Sequence, residues 1–291
     1  MMSRQSAIIP ADWHLWSREK PSLIRPLLGG LTNKSYLISA DGVDMVLREN
    51  SALSAALNLD RKVESQVMRS ADSAELCAPL VHYDAQNQYM VSRYVQGGDW
   101  QADNAGLQSL AQLLQRIHSL PAVEGYLDIN VKAEHYWSEI NIGEEFYDDL
   151  KKLSSQVIPH IKQAEKLNTA CCVCHNDLLL ENLIVSDDGC LYAIDWEYAA
   201  MGDAFYELAV IVEGHSLDEG KQQLLLSKYL QRSLLSKDWQ RLYHWRIIYC
   251  YLTVLWYAVQ FSVDPMGAKT GSDNIVEQIQ ALQKLIKNGA V

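Results

Sequence analysis

The chain has 291 residues, 48% of them hydrophobic and 21% charged, with a formal net charge of −11. That length holds one large domain or two lobes with real cores, and the composition is that of an ordinary globular protein. So acidic a chain excludes nucleic acid as the expected partner, because phosphate backbones reward clusters of Lys and Arg. It is compatible with small cationic ligands.

The first twenty residues, MMSRQSAIIPADWHLWSREK, hold no long apolar core and no small-residue cleavage site, so no export signal is expected. The six cysteines (Cys77, Cys171, Cys172, Cys174, Cys190 and Cys250) then read as buried small hydrophobes in a cytoplasmic chain rather than as disulfides.

In chain order, NKSYLISADGVDMVLRE (33–49) holds two apolar runs around Asp41-Gly42, which predicts a hairpin. A helix is predicted over Leu59–Ala71, and LVHYDAQNQYMVSRYV (80–95) gives two further strands split by 84–88. Residues 1–95 are therefore expected to form a small antiparallel sheet with a helix. QGGDW (96–100) reads as a hinge into a larger, mainly helical unit over 96–291. The first helix of that unit carries Leu107, Leu110, Ala111, Leu114, Ile117 and His118 on one face and stops before Pro121. Residues 131–168 and 204–290 read as mostly helical. The apolar run 247–261 is shorter than the roughly 20 residues that cross a bilayer, so a buried core helix and no membrane partner are expected.

Between the helical stretches lies a strand-rich island, about 171–195, opening with CCVCHNDLLLEN. Cys171, Cys174 and His175 spell the Cys-x-x-Cys-His of covalent haem attachment. The absent export signal and the acidic residue two positions on both oppose that reading. A zinc site on Cys171, Cys172, Cys174 and His175 is disfavoured because the four crowd one segment without a second spaced pair. In NLIVSDDGCLYAID (182–195), Asp188-Gly189 predicts a two-residue turn. Counting outward from it sets Asn182 opposite Asp195, with Cβ atoms about 4.5–5.5 Å apart. Two oxygen donors at one hairpin end suit Mg²⁺, which takes few protein ligands beside phosphate and water; capping of the strand ends is the alternative. Asp177, five residues earlier, could accept a proton from an attacking hydroxyl. One base beside two metal ligands is the division of labour of protein kinases.

The pairing of HNDLLLEN with AIDWEYAAMGDAFYELA resembles the choline/ethanolamine kinase and thiamine-kinase-like branch of the aminoglycoside phosphotransferase superfamily. GGLTNKSY (29–36), VESQVM (63–68) and RIHSLP (116–121) resemble further segments of that branch, in the expected order. The resemblance implies an α+β, bilobal, protein-kinase-like fold binding ATP and Mg²⁺ between its lobes. By position it makes Asp177 the catalytic base and Asn182 and Asp195 the Mg²⁺ ligands, with His175 positioning the loop. It sets Gly30, Thr32 and Asn33 over the phosphates and 92–95, including Ser92 and Tyr94, against adenine. Generic kinases carry Lys where this chain, like choline kinases, has Arg48; Glu64 is its expected partner, and an ordinary surface ion pair is the alternative. Glu207 is expected to brace the catalytic loop.

The acceptor is less legible. Trp245, Tyr249 and Trp256 share a helical face and Glu213 lies nearby in the chain, with Trp196 and Tyr206 as further walls. Such rings attract a quaternary ammonium, although aromatics at helical spacing equally pack a core. The expectation is an ATP-dependent kinase of a small cationic alcohol: choline first, then thiamine or ethanolamine, then an aminoglycoside. A non-catalytic kinase-like binding module is the alternative of another class, and a homodimer is left open.

Overall fold

A computed structural model describes residues 8–28, 32–265 and 271–289. Gly30, expected over the phosphates, lies outside the described residues. Five strands open the chain: β1 (Ser22–Leu27), β2 (Lys34–Ala40), β3 (Val43–Glu49), β4 (Leu80–Tyr83) and β5 (Tyr89–Arg93). They form one antiparallel sheet in the order β1-β2-β3-β5-β4, and α1 (Arg61–Ser73) lies between β3 and β4 in the chain. The hairpin at Asp41-Gly42 forms as expected. Ala40 pairs with Val43, and the two loop residues have φ of 51° and 79°, matching the strand twist. Helix α1 begins at Arg61 because the Asp60 side chain accepts the amides of Lys62 and Val63.

The rest of the chain supplies β6 (Gly97–Asp99), α2 (Asn104–Ile117), α3 (Ile129–Glu139), α4 (Tyr147–Leu167), β7 (Cys172–Cys174), β8 (Leu183–Ser186), β9 (Leu191–Ala193) and β10 (Ala200–Gly202). Four helices follow: α5 (Ala204–Gly214), α6 (Glu219–Leu230), α7 (Ser236–Val263) and α8 (Ser272–Asn288). The architecture is therefore α+β, with an N-terminal sheet and a mainly helical remainder.

Two sequence expectations change. The Gly-Gly hinge is a strand: β6 pairs with β8, and β8 with β9, in a small sheet of their own. A Cβ on Gly97 would stand 2.2 Å from the Val185 carbonyl oxygen, so this close approach needs glycine. The apolar run at 247–261 belongs to α7, whose 28 residues are long and apolar enough to cross a membrane by length and composition. Length therefore does not distinguish it. What marks it as a core helix is its packing against α3, α4, α5 and α8, with Ile247, Ile248, Leu255 and Ala258 fully buried.

The alternation of β3 and β5 places the site. Leu47 and Val91 point into a small core with Ile38 and Met45 on one face of the sheet. Met90 points the other way, into the large core that includes Val67 and Met68 of α1. Arg48, next to Leu47, therefore faces α1.

Candidate active site

The hairpin that carries Asn182 and Asp195 differs from its predicted register by one residue. Leu183 pairs with Ala193 and Val185 with Leu191, and the loop is three residues, Asp187–Gly189, closed by Gly189 at φ 84°. Asn182 thus faces Ile194, whose amide donates to the Asn182 carbonyl at 2.9 Å. A one-residue slip sends a side chain to the opposite face. The backbone redirects Asp195 by entering the left-handed region there, at φ 59°. Asn176, at φ 65°, makes the corresponding turn before Asp177.

Asp177 and Asn182 are joined directly. Asn182 Nδ2 donates to both Asp177 Oδ2 and the Asp177 carbonyl, each at 2.8 Å. The Asn182 Oδ1 is thereby turned away from Asp177, as an oxygen donor. Burial raises the Asp177 pKa well above the usual carboxylate range, the charges of Asp195 and Glu197 raise it further, and the Asn182 bond opposes them.

Arg48 on β3 bridges α1 and the segment after β9. It reaches Glu64 Oε1 at 2.5 Å through one nitrogen and Asp195 Oδ1 at 2.6 Å through the other. The expected Arg48–Glu64 pair is thus present, and it is buried rather than a surface pair. Arg61, not singled out in the sequence, adds a second guanidinium to Glu64 at 2.8 Å and reaches Glu197 at 3.1 Å. Burial pushes Glu64 up, but the two arginines outweigh it and hold its carboxyl below the ordinary value. Asn33 donates to Glu197 at 2.7 Å and accepts from the Ser51 amide at 3.1 Å, so it is pinned to the acidic cluster. Thr32 is partly buried beside it. Glu197, two residues beyond Asp195, is the carboxylate that sequence reasoning missed; burial and then Asp195 push its pKa up to about 7. The repeat of an acid in Asp195-Trp196-Glu197 is the signal that could have found it.

Behind the loop, Glu207 Oε1 accepts the amides of His175 and Asn176 at 2.8 Å each, and Oε2 meets His118 Nε2 at 2.6 Å. This is the bracing geometry expected of Glu207. His175 is fully buried, so it does not face reactants. Burial lowers its pKa, and its neutral ring donates from Nε2 to the Ile194 carbonyl at 2.9 Å. Its place is that of a positioning residue next to Asp195.

The remaining candidates separate by burial. Ser92 is a buried strand residue paired with Val46 and Leu80. Tyr94 is exposed at its ring, but its amide already donates to the Asp44 carbonyl, as that of Arg93 does to Pro79. The amides of Arg93 and Tyr94 are thus not free to meet an adenine edge. Trp196 is fully buried, donates to the Ala193 carbonyl and packs on His175, so it is core and no pocket wall. Trp245 is likewise buried, edge-on against Tyr206. Tyr249 and Trp256 remain partly exposed, and Trp256 Nε1 donates to the Tyr198 hydroxyl at 2.7 Å. Glu213 is already paired with Arg246. Tyr136, Tyr198, Tyr206 and Tyr249 all lie close enough to Asp177 for its charge to raise their pKa values, after the larger effect of burial. Tyr136 was not singled out because its helix carries no motif, whereas Tyr198 lay within AIDWEYAAMGDAFYELA without being picked from it.

The profile of the phosphotransferase enzyme family matches residues 23–245. The chain belongs to that family. Within the family it is similar to protein LicA of Haemophilus influenzae, 27% identical over 217 residues. That match covers 71% of this chain and 62% of the LicA protein, so the chain spans about three fifths of that relative's length. Among solved structures, choline kinase LicA from Streptococcus pneumoniae superposes with a TM-score of 0.77 at 23% identity, covering 91% of this chain and 95% of that one. LicA in complex with AMP gives 0.82 at 22% identity, with 99% of each chain covered. The fold is therefore the kinase-like fold of these enzymes.

Proposed function

We propose that this chain is a small-molecule kinase that transfers the γ-phosphoryl group of ATP to the hydroxyl of choline. The observation that carries this reading is the convergence on Asp177: Asn182 holds it at 2.8 Å, the Asp195 charge acts on it, and four tyrosines lie close enough to feel its charge.

In this reading the substrate hydroxyl lies against Asp177. As its oxygen bonds to the γ-phosphorus, the bond to the β–γ bridging oxygen breaks and ADP leaves. The hydroxyl proton passes to the Asp177 carboxylate. Residues 1–95 cover the nucleotide, with the backbone of 92–95 against adenine, and residues 96–291 carry the catalytic and acceptor groups. Thr32 and Arg48 lie on the phosphate side, where the Arg48 fork exchanges Asp195 for phosphate oxygens.

The donor set fits Mg²⁺. Asn182 Oδ1 and the Asp195 carboxylate are hard oxygen ligands, and the pKa values of Asp177 and Glu197 are raised first by burial and then by the neighbouring Asp195 charge, a crowding that a cation would offset. Asn182 and Asp195 would hold the ion, which supplies neutralisation of phosphate charge when bound.

Choline is favoured over other acceptors by two features. Tyr249, which feels the Asp177 charge, and Trp256, bonded to the Tyr198 hydroxyl, are partly open aromatic surfaces, and quaternary ammonium groups bind such faces. The likeness to LicA, a choline kinase in Streptococcus pneumoniae, supports the same acceptor. The likeness to LicA in complex with AMP supports an adenine nucleotide as donor. The test is ADP release with choline, ethanolamine, thiamine and an aminoglycoside, in wild type and Asp177→Ala. Choline is expected to give the highest kcat/KM, and the variant to bind ATP without turnover. Preference for another acceptor overturns the substrate, and near-normal turnover in Asp177→Ala overturns the base.

A further inference from the structure

The strand that leads into the candidate catalytic loop carries a second grouping that phosphotransfer does not use. Cys172 and Cys174 are two apart on β7, so both side chains leave the same face, while Val173 is buried on the other. Their sulfurs are 3.7 Å apart. His118, the residue that ends α2, brings a ring nitrogen to the same place: one ligand atom from each of the three lies within 4.8 Å of the others. The sequence offered only His175 as a nitrogen partner, and His175 points instead to Ile194.

We propose that Cys172, Cys174 and His118 form a binding site for a zinc-class divalent ion behind the catalytic loop. Geometry is the first reason. Two thiolates bound tetrahedrally at about 2.3 Å from zinc stand about 3.8 Å apart, which is the separation the two sulfurs already have. The support of the histidine is the second. Glu207 is fully buried and holds His118 Nε2 at 2.6 Å, the carboxylate–histidine arrangement that orients metal-binding imidazoles. His118 Nδ1 meets only the Tyr229 hydroxyl, at 2.7 Å. Displacing a hydroxyl costs less than stranding a buried carboxylate, so Nδ1 is the ligand and Glu207 stays in place. The third reason is access: Cys172 is partly exposed while the His118 side chain and Cys174 are buried, so an ion enters past Cys172 onto a fixed base.

Binding converts the two thiols to thiolates and releases two protons to solvent, while the neutral imidazole donates a lone pair. Water or the Tyr229 oxygen completes the fourth position. The ion then ties α2 to β7 next to the carboxylate that holds the His175 and Asn176 amides. It is a lock on the loop from behind, chemically distinct from the oxygen-lined Mg²⁺ side.

The test is Co²⁺ titration of the full chain under reducing conditions. A sulfur-to-cobalt charge-transfer band that saturates at one ion per chain is expected. The acidic Asp12–His82–Asp84 grouping contains no sulfur and cannot produce it. The band should persist in Cys171→Ser and vanish in Cys172→Ser, with circular dichroism showing both variants folded. Zn²⁺ should raise the thermal midpoint of wild type and Cys171→Ser but not of Cys172→Ser. No saturable band, or a band that survives both Cys172→Ser and Cys174→Ser, overturns the site. Mg²⁺-dependent phosphotransfer in metal-stripped protein is measured separately, so failure here leaves the kinase reading untouched.

Discussion

A single side-chain nitrogen of Asn182 binds Asp177 twice, at its carboxylate and at its main-chain carbonyl, each at 2.8 Å. The five-residue turn between them is thereby closed on itself, and the carboxylate has one fixed direction. Asp177→Asn keeps the shape but removes the proposed proton acceptor. Turnover is expected to fall by about 10²–10⁴, the usual worth of a general base. ATP affinity should change little, because the variant leaves the sheet and Arg48 intact. Initial rates of ADP release and equilibrium nucleotide binding, measured on the same preparation, check both halves.

Glu64 has no exposed side chain and holds two guanidinium groups. Glu64→Gln keeps the volume but leaves Arg48 and Arg61 short of a buried counter-charge. Removing one partner of such a pair costs about 3–5 kcal/mol. Urea unfolding should show that loss. Arg48→Lys is expected to act differently: charge is retained and the fork is lost, so kcat/KM for ATP should fall more than stability does.

The contrast between these residues shows what the chain made legible. Arg48, Glu64, Asp177, Asn182 and Asp195 sit in local motifs, and the structure brings them into one cluster. The route to that cluster was misread. Asp188-Gly189 resembles a two-residue turn, but Ser186 pairs with Cys190 and Gly189 takes the left-handed position of a three-residue loop. Asp195 reaches that cluster through its own positive φ, which no periodicity encodes. Arg61 and Lys132 were equally hidden, since a lone basic residue on a helix reads as solvated until tertiary contacts bury it. Trp196 and Trp245 erred the other way, because a core aromatic and a ligand-binding one look alike in sequence.

The Gly97-Gly98 step is a further place where strand replaced hinge. A Cβ at Gly97 would lie 2.2 Å from the Val185 oxygen, whereas one at Gly98 meets nothing within 4 Å. Gly97→Ala must therefore push β6 away from β8, at a cost of about 1–3 kcal/mol, as for other overpacked sites. Gly98→Ala should be close to neutral. Thermal melts of the two variants decide between a paired strand and a free hinge; equal midpoints would favour the hinge.

Lys132 gives stability an alkaline signature. Its buried ammonium donates to the carbonyls of Leu57 and Asn58 at 2.7 and 2.9 Å and lies 5.1 Å from the Tyr136 ring centroid. Burial pushes its pKa from 10.5 down to about 8, with the Glu197 charge opposing. Below pH 8 the native and unfolded chains both hold the proton, and the cost of burying the charge is present in full. From about 8 to 10.5 the native amine loses its proton while the unfolded one keeps it. The unfolded state then binds more protons, so this residue's contribution to stability rises with pH across that window. The interval amounts to about 3 kcal/mol. Lys132→Met has no such proton to lose. Urea midpoints taken on either side of the window should therefore show wild type gaining on the variant as the pH rises. Parallel pH profiles would mean that Lys132 stays charged and that its two carbonyl partners offset its burial.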